Sequence, residues 1–159
     1  ITKFPPAAHY APFSDVVGEA MAVELRSLGI NLSWAPLADI HSNPNNPIIG
    51  DRALGTTPEE VSFHAVALAR ALARNGLLTC AKHFPGHGDT STDSHFELPV
   101  VEHELGEIVE RELVPFKALV DWGVPFIMTA HVLFPKIDPK NPATLSPLIL
   151  NDILREEWG

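Results

Sequence analysis

Val17, Met21, Leu25 and Leu28 recur at helical spacing behind Ser14, which predicts a helix from Ser14 to about Leu28, capped by Ser14 and stopped at Gly29. The rhythm then changes. Ile30 to Ala38 is largely apolar with little alternation, the pattern of a strand buried on both faces in a parallel sheet. Thr57 opens the next helix: Pro58 takes its first position, Glu60 completes a T-x-x-E capping box, and Val61, Ala65, Leu68, Ala69 and Leu72 form its buried stripe up to Gly76. Leu77 to Lys82 predicts the second strand. A helical stretch from Leu105 to Trp122, interrupted or restarted at Pro115, ends at Gly123, and Val124 to Ala130 predicts the third strand. Ser146-Pro147 opens a last helix to Trp158, with Gly159 where a helix stop belongs.

Gly29, Gly76 and Gly123 are evenly spaced, so helix-to-strand junctions recur regularly and predict an α/β fold with parallel strands. The polar residues sit at the strand ends. Asp39 and His41 follow the first strand, Lys82 and His83 end the second, and His131 ends the third. In α/β sheets and barrels the C-terminal strand ends form the active face. A complete (β/α)8 barrel takes about 250 residues, and about three βα units are visible here, which predicts a partial barrel over residues 1–159 as one domain.

Composition narrows the ligand. The net charge of −9 disfavours nucleic acid and suits a neutral or cationic small molecule. No apolar run approaches the roughly 20 residues of a membrane span, so no membrane partner is expected. The single Cys80 cannot form an internal disulfide, which fits a reducing compartment and points to the cytoplasm. Nothing in the sequence indicates the oligomeric state.

The chemistry concentrates where the second strand runs into Lys82-His83-Phe84-Pro85-Gly86-His87-Gly88-Asp89-Thr90, followed shortly by Asp93-Ser94-His95. Gly86 and Gly88 permit positive φ or a close approach to a ligand, and Pro85 blocks continuation of the strand. This order, K-H-F-P-G-H-G-D-T-x-x-D-S-H, resembles the signature of the bacterial β-N-acetylglucosaminidases of glycoside hydrolase family 3. Trp34-Ala-Pro-Leu-Ala-Asp39 resembles that family's strand ending in Asp, Asn43-Pro-Asn-Asn-Pro-Ile-Ile-Gly-Asp-Arg52 its arginine loop, and Met128-Thr-Ala-His131 a later strand end.

The resemblance implies a retaining hydrolase that removes terminal β-linked N-acetylglucosamine, as from peptidoglycan fragments in cell-wall recycling. It maps the acid/base dyad onto His95 and Asp93 and the sugar contacts onto Arg52, Lys82 and His83, with Asp39 and His131 lining the pocket. No metal and no cofactor are implied. An imidazole titrates near pH 6.5, and a neighbouring carboxylate orients it and stabilises its cation, so Asp93 suits His95 as a partner. Family members carry their nucleophilic Asp on a strand after the position matching Gly159, so residues 1–159 alone are expected to be inactive.

Other readings of the same residues remain open. His83, His87, Asp89, Asp93 and His95 are a set of metal-ligand types, so a metal-dependent hydrolase is the alternative enzyme. A sugar-binding segment without catalysis is the other. His83 and His131 also suit satisfied core histidines, Asp39 a turn cap, and His87 a brace for the glycine loop. His9, His64 and His103 are expected at the solvated surface.

Overall fold

The computed structural model describes residues 13–92 and 96–159. Three parallel strands form one sheet in the order β1-β2-β3: β1 is Leu32–Ser33, β2 Leu78–Phe84 and β3 Phe126–Thr129. Helix α1 (Phe13–Ser27) precedes β1, α2 (Pro58–Arg74) joins β1 to β2, and α3 (Leu105–Glu110) with α4 (Leu113–Trp122) joins β2 to β3. A closing helix, Leu148–Glu157, is wound as a π-helix. The result is the α/β architecture of a barrel sector, strands inside and helices outside.

Local chemistry explains most element ends. Gly29, Gly76 and Gly123 all adopt positive φ (79°, 82° and 100°), so each predicted stop is a backbone turn that disfavours a side chain. At the start of α2, Thr57 Oγ1 accepts the Glu60 N–H, while the Glu60 carboxylate reaches one residue further back than expected, to the Thr56 N–H. Ser146 Oγ accepts the Ile149 N–H at the start of the closing helix.

Four expectations are corrected. Regular β1 is short because Pro36 has no N–H to give the ladder, although Cys80 and Lys82 still donate to the carbonyls of Ala35 and Pro36, and Ala38 donates to Lys82. The interruption expected at Pro115 between 105 and 122 falls at Arg111, whose carbonyl lies four residues before Pro115 and would clash with its ring. Ser14 is not a cap. It lies inside α1, with Oγ 2.7 Å from His64 Nδ1, so His64 is a half-buried link between α1 and α2 rather than a surface residue. A parallel bridge between Val100 and Leu133, which no periodicity announced, extends the pairing beyond β2 and β3.

The main core lies between sheet and helices, built from Ala81 and Phe84 of β2, Ile108 of α3, Leu113, Phe116 and Leu119 of α4, and Val132, Phe134 and Ile149 beyond β3. Phe84 and Phe116 meet edge-to-face at 5.4 Å. Each fully buried side chain of this size contributes about 1.5–3 kcal/mol. This packing anchors β2 from beneath, so its C-terminal end can present polar residues on a fixed frame.

Candidate active site

Asp39 follows the β1 segment, and Lys82 and His83 end β2. Pairing shifts between Lys82 and Phe84, leaving His83 as the extra residue of a bulge, a device that re-aims a side chain at a strand end. Its new direction is fixed by Asp39. The Asp39 carboxylate, fully buried, accepts His83 Nδ1–H at 2.7 Å, the His83 backbone N–H at 3.2 Å and the His87 backbone N–H at 2.7 Å. Three N–H donors satisfy a buried charge that would otherwise be costly. Both oxygens are therefore engaged by the protein, and Asp39 holds His83 and the glycine loop from behind. Because Nδ1 donates to the carboxylate, Nε2 is the His83 atom left for a ligand.

The glycines of the loop serve the protein's own backbone. A Cβ on Gly88 would stand 1.7 Å from the Ile40 carbonyl oxygen, and Gly86 has φ +140° with Glu112 packed against it. Glu112 is bound by Arg111, and Arg111 also reaches Asp89, which pairs with His103. His103 is thus a half-buried member of an ionic cluster under the loop, not the solvated residue expected. His87 braces the loop as expected, its Nδ1 2.8 Å from Thr90 Oγ1, and it also faces the cavity.

That cavity, about 430 Å³, brings Arg52, His83 and His131 together with His87, between walls of Ile48 and Met128. Arg52 ends a short turn, Gly50–Arg52, is exposed, and donates to the Ile48 carbonyl. Lys82, half-buried at the end of β2, is not among the residues that line this cavity, and burial together with the nearby Arg52 charge pushes its pKa below the ordinary lysine value, against an opposing pull from Asp39. His131 is exposed, with Nδ1 2.8 Å from Thr144 Oγ1. Thr144 spends its only proton on the Ala130 carbonyl, so His131 Nδ1 must be the donor to Thr144 Oγ1. A larger cavity, about 700 Å³, opens among α2, α4 and the closing helix, with Phe63, Leu113 and Trp158 in its wall. It holds none of the strand-end residues.

Asp93 and His95, the expected dyad, lie outside the described residues, as does His9. Among the described residues no three His, Cys, Asp or Glu side chains converge as metal ligands would. Two of the five residues of the metal-centred alternative are not described. No membrane-spanning helix occurs among the described residues.

Sequence reasoning missed Asn46 and Thr144. Asn46 is buried and bonds both to its own loop and to the glycine loop. Its signal was the N-P-N-N-P run, since Asn before Pro favours side-chain turns. Thr144, beyond a loop from β3, had none.

A β-hexosaminidase of Methylococcus capsulatus is 43% identical to this chain, covering 99% of it and 49% of the relative, so the chain spans about half that relative's length. A glycoside hydrolase family 3 β-N-acetylglucosaminidase from Paenibacillus superposes with a TM-score of 0.91 at 44% identity, over 94% of this chain and 29% of that one. NagZ from Neisseria gonorrhoeae, solved with N-trifluoroacetyl-D-glucosamine, gives 0.85 at 39% identity over 92% and 42%. The glycosyl hydrolase family 3 N-terminal domain model matches residues 4–159, and the chain belongs to that family.

Proposed function

We propose that the protein containing this chain is a retaining β-N-acetylhexosaminidase that removes terminal β-linked N-acetylglucosamine, acting on peptidoglycan fragments in the cytoplasm. The observation that carries the reading is the cavity at the strand ends, where Arg52, His83 and His131 converge beside the loop that continues to Asp93 and His95. The names of the relatives support it, as does the amino-sugar analogue bound to the Neisseria protein. Arg52, Lys82, His83 and His131 supply directed donors and acceptors for hydroxyl and acetamido groups. Asp39 acts from behind, holding His83.

In the proposed step the His95 imidazolium gives its proton to the glycosidic oxygen as the bond to the anomeric carbon breaks, and a carboxylate on the opposite face takes that carbon. The neutral imidazole then removes a proton from water as water displaces the carboxylate. Asp93 favours the imidazolium in the first half. None of the residues assigned here is the opposite carboxylate.

The test is His95→Ala in the full-length protein. Glycosylation should collapse on substrates with poor leaving groups and fall far less on an aryl glycoside whose phenolate departs unprotonated. Asp93→Asn should show the same contrast more mildly. Equal losses on both substrates would move the acid outside this loop.

A further inference from the structure

His131, just beyond β3, is exposed, and an exposed imidazole has little packing to fix its ring. Its backbone and its ring are instead held from one place. The short turn Ala143–Leu145 lies against this strand end, where the Ala143 N–H donates to the Val132 carbonyl at 2.8 Å and the Thr144 hydroxyl donates to the Ala130 carbonyl at 2.8 Å. These two bonds clip the chain on either side of His131. The same Thr144 Oγ1 stands 2.8 Å from His131 Nδ1, and among the described residues it is the ring's hydrogen-bond partner.

The hydroxyl has one proton and two lone pairs, and all three are used. The proton goes to Ala130, and the Thr129 hydroxyl, at 3.2 Å, occupies one lone pair. The other accepts the His131 Nδ1–H. Nδ1 therefore keeps its proton whether the ring is neutral or charged, and a proton gained or lost by His131 is carried on Nε2. Nε2 is also the ring nitrogen left for a ligand in the cavity that His131 shares with Arg52 and His83. A threonine suits this task because its β-branch holds χ1 stiffly. Behind it Asp138 closes the 138–146 segment, accepting the N–H groups of Lys140 and Asn141, so the hydroxyl stands on a fixed base.

We infer that Thr144 is a positioning residue acting through His131, fixing the direction and tautomer of that ring so that Nε2 meets the bound sugar already ordered. The inference rests on the proposed function. An imidazole free to rotate loses conformational entropy when a ligand orders it, and one held in advance does not. A brace for the turn alone would act on stability, and would do so whether or not the imidazole is present. A residue acting through His131 has nothing left to act on once that ring is removed.

The experiment is a double-mutant cycle in the full-length protein, read as kcat/KM on an aryl N-acetylglucosaminide. Thr144→Val keeps the shape and removes the hydroxyl, and it should lower kcat/KM about five- to tenfold, as loss of one ordinary hydrogen bond would. Thr144→Ser, which keeps the hydroxyl, should recover most of that loss. His131→Ala should cost at least as much as Thr144→Val, and adding Thr144→Val to it should cost less than about twofold more. Equal factors with and without the imidazole, or wild-type kinetics in folded Thr144→Val, would overturn the role. If Thr144→Val does not fold, isotopically labelled histidine in the wild type decides: N-acetylglucosamine should shift the Nε2 resonance of His131 while Nδ1 stays protonated. An unmoved Nε2, or a neutral ring with its proton on Nε2, overturns the role. A wild type that cleaves no aryl N-acetylglucosaminide sinks the proposed function and this role with it, an outcome distinct from an active wild type indifferent to Thr144→Val.

Discussion

Asp39 Oδ2 stands 2.7 Å from His83 Nδ1, and the same carboxylate accepts the backbone N–H groups of His83 and His87, so one buried acid aligns a strand end with the loop beyond it. Removing it leaves three donors without a partner. Asp39→Ala should destabilise the protein by about 3–5 kcal/mol, the range for breaking a buried charged pair. Asp39→Asn, which keeps the shape but faces an NH2 toward N–H donors, should cost about 1–3 kcal/mol. Urea denaturation measures both. An unchanged midpoint for Asp39→Ala would show that the carboxylate does not hold this corner together.

Lys82 gives a prediction of opposite sign for stability and activity. Burial and the Arg52 charge lower its folded pKa below the ordinary 10.5. The unfolded chain therefore holds this proton more tightly, the penalty is present in full below the lowered value, and stability from this group rises with pH between that value and 10.5. Lys82→Met should melt no lower than wild type at pH 7. In the full-length protein it should nevertheless lose about 10²-fold in kcat/KM, as a lost charged hydrogen bond of roughly 1.5–3 kcal/mol would produce. Arg52→Ala should lose a similar factor. Wild-type kinetics in both would remove these residues from the set that holds the sugar.

Two glycines make a matched pair. A Cβ at Gly88 would overlap the Ile40 carbonyl oxygen at 1.7 Å, and the nearest atoms are all Ile40 backbone, with no flexible side chain to yield. Gly88→Ala should cost at least about 3 kcal/mol, at the top of the range for overpacking. Gly106, inside α3, has nothing within 4 Å of its virtual Cβ, so Gly106→Ala should stabilise by about 0.5–1 kcal/mol through the chain entropy it removes. Thermal melts of the two variants moving in the same direction would contradict this.

What was legible in the sequence was what local rules govern. Gly29, Gly76 and Gly123 announced their turns, Thr57 and Ser146 their caps, and the strand-end residues His83 and His131 the cavity they share with Arg52. Most departures involve a partner remote in sequence. His64 looked solvent-facing until α1 brought Ser14 to it, and His103 until Asp89 and Arg111 closed around it. The Asp-x-His neighbourhood pointed to Asp39 as a pocket residue; the fold adds its hold on His83 and His87, which no local pattern announced. Two departures are local instead: Pro36 withholds an N–H from the ladder, and the Pro115 ring moves the expected interruption four residues upstream, to Arg111.

Asp138 connects acid stability to His131. Its side chain accepts from the N–H of Lys140 at 3.0 Å, the N–H of Asn141 at 3.1 Å and Asn141 Nδ2 at 3.1 Å. The Ser146 hydroxyl and these donors hold its pKa at about 2 against an ordinary 3.8. A lowered folded value means that the stabilisation is complete above about 3.8 and disappears as pH falls from there through 2. The segment closed in this way, between Asp138 and Ser146, contains Thr144, the partner of His131. Asp138→Asn should unfold at lower urea than wild type at pH 7, with the gap narrowing from pH 5 to pH 2 as the wild type loses what the variant never had. A gap that stays constant across that range would mean that ionisation of Asp138 does not hold this segment, and the acid sensitivity would have to come from another carboxylate.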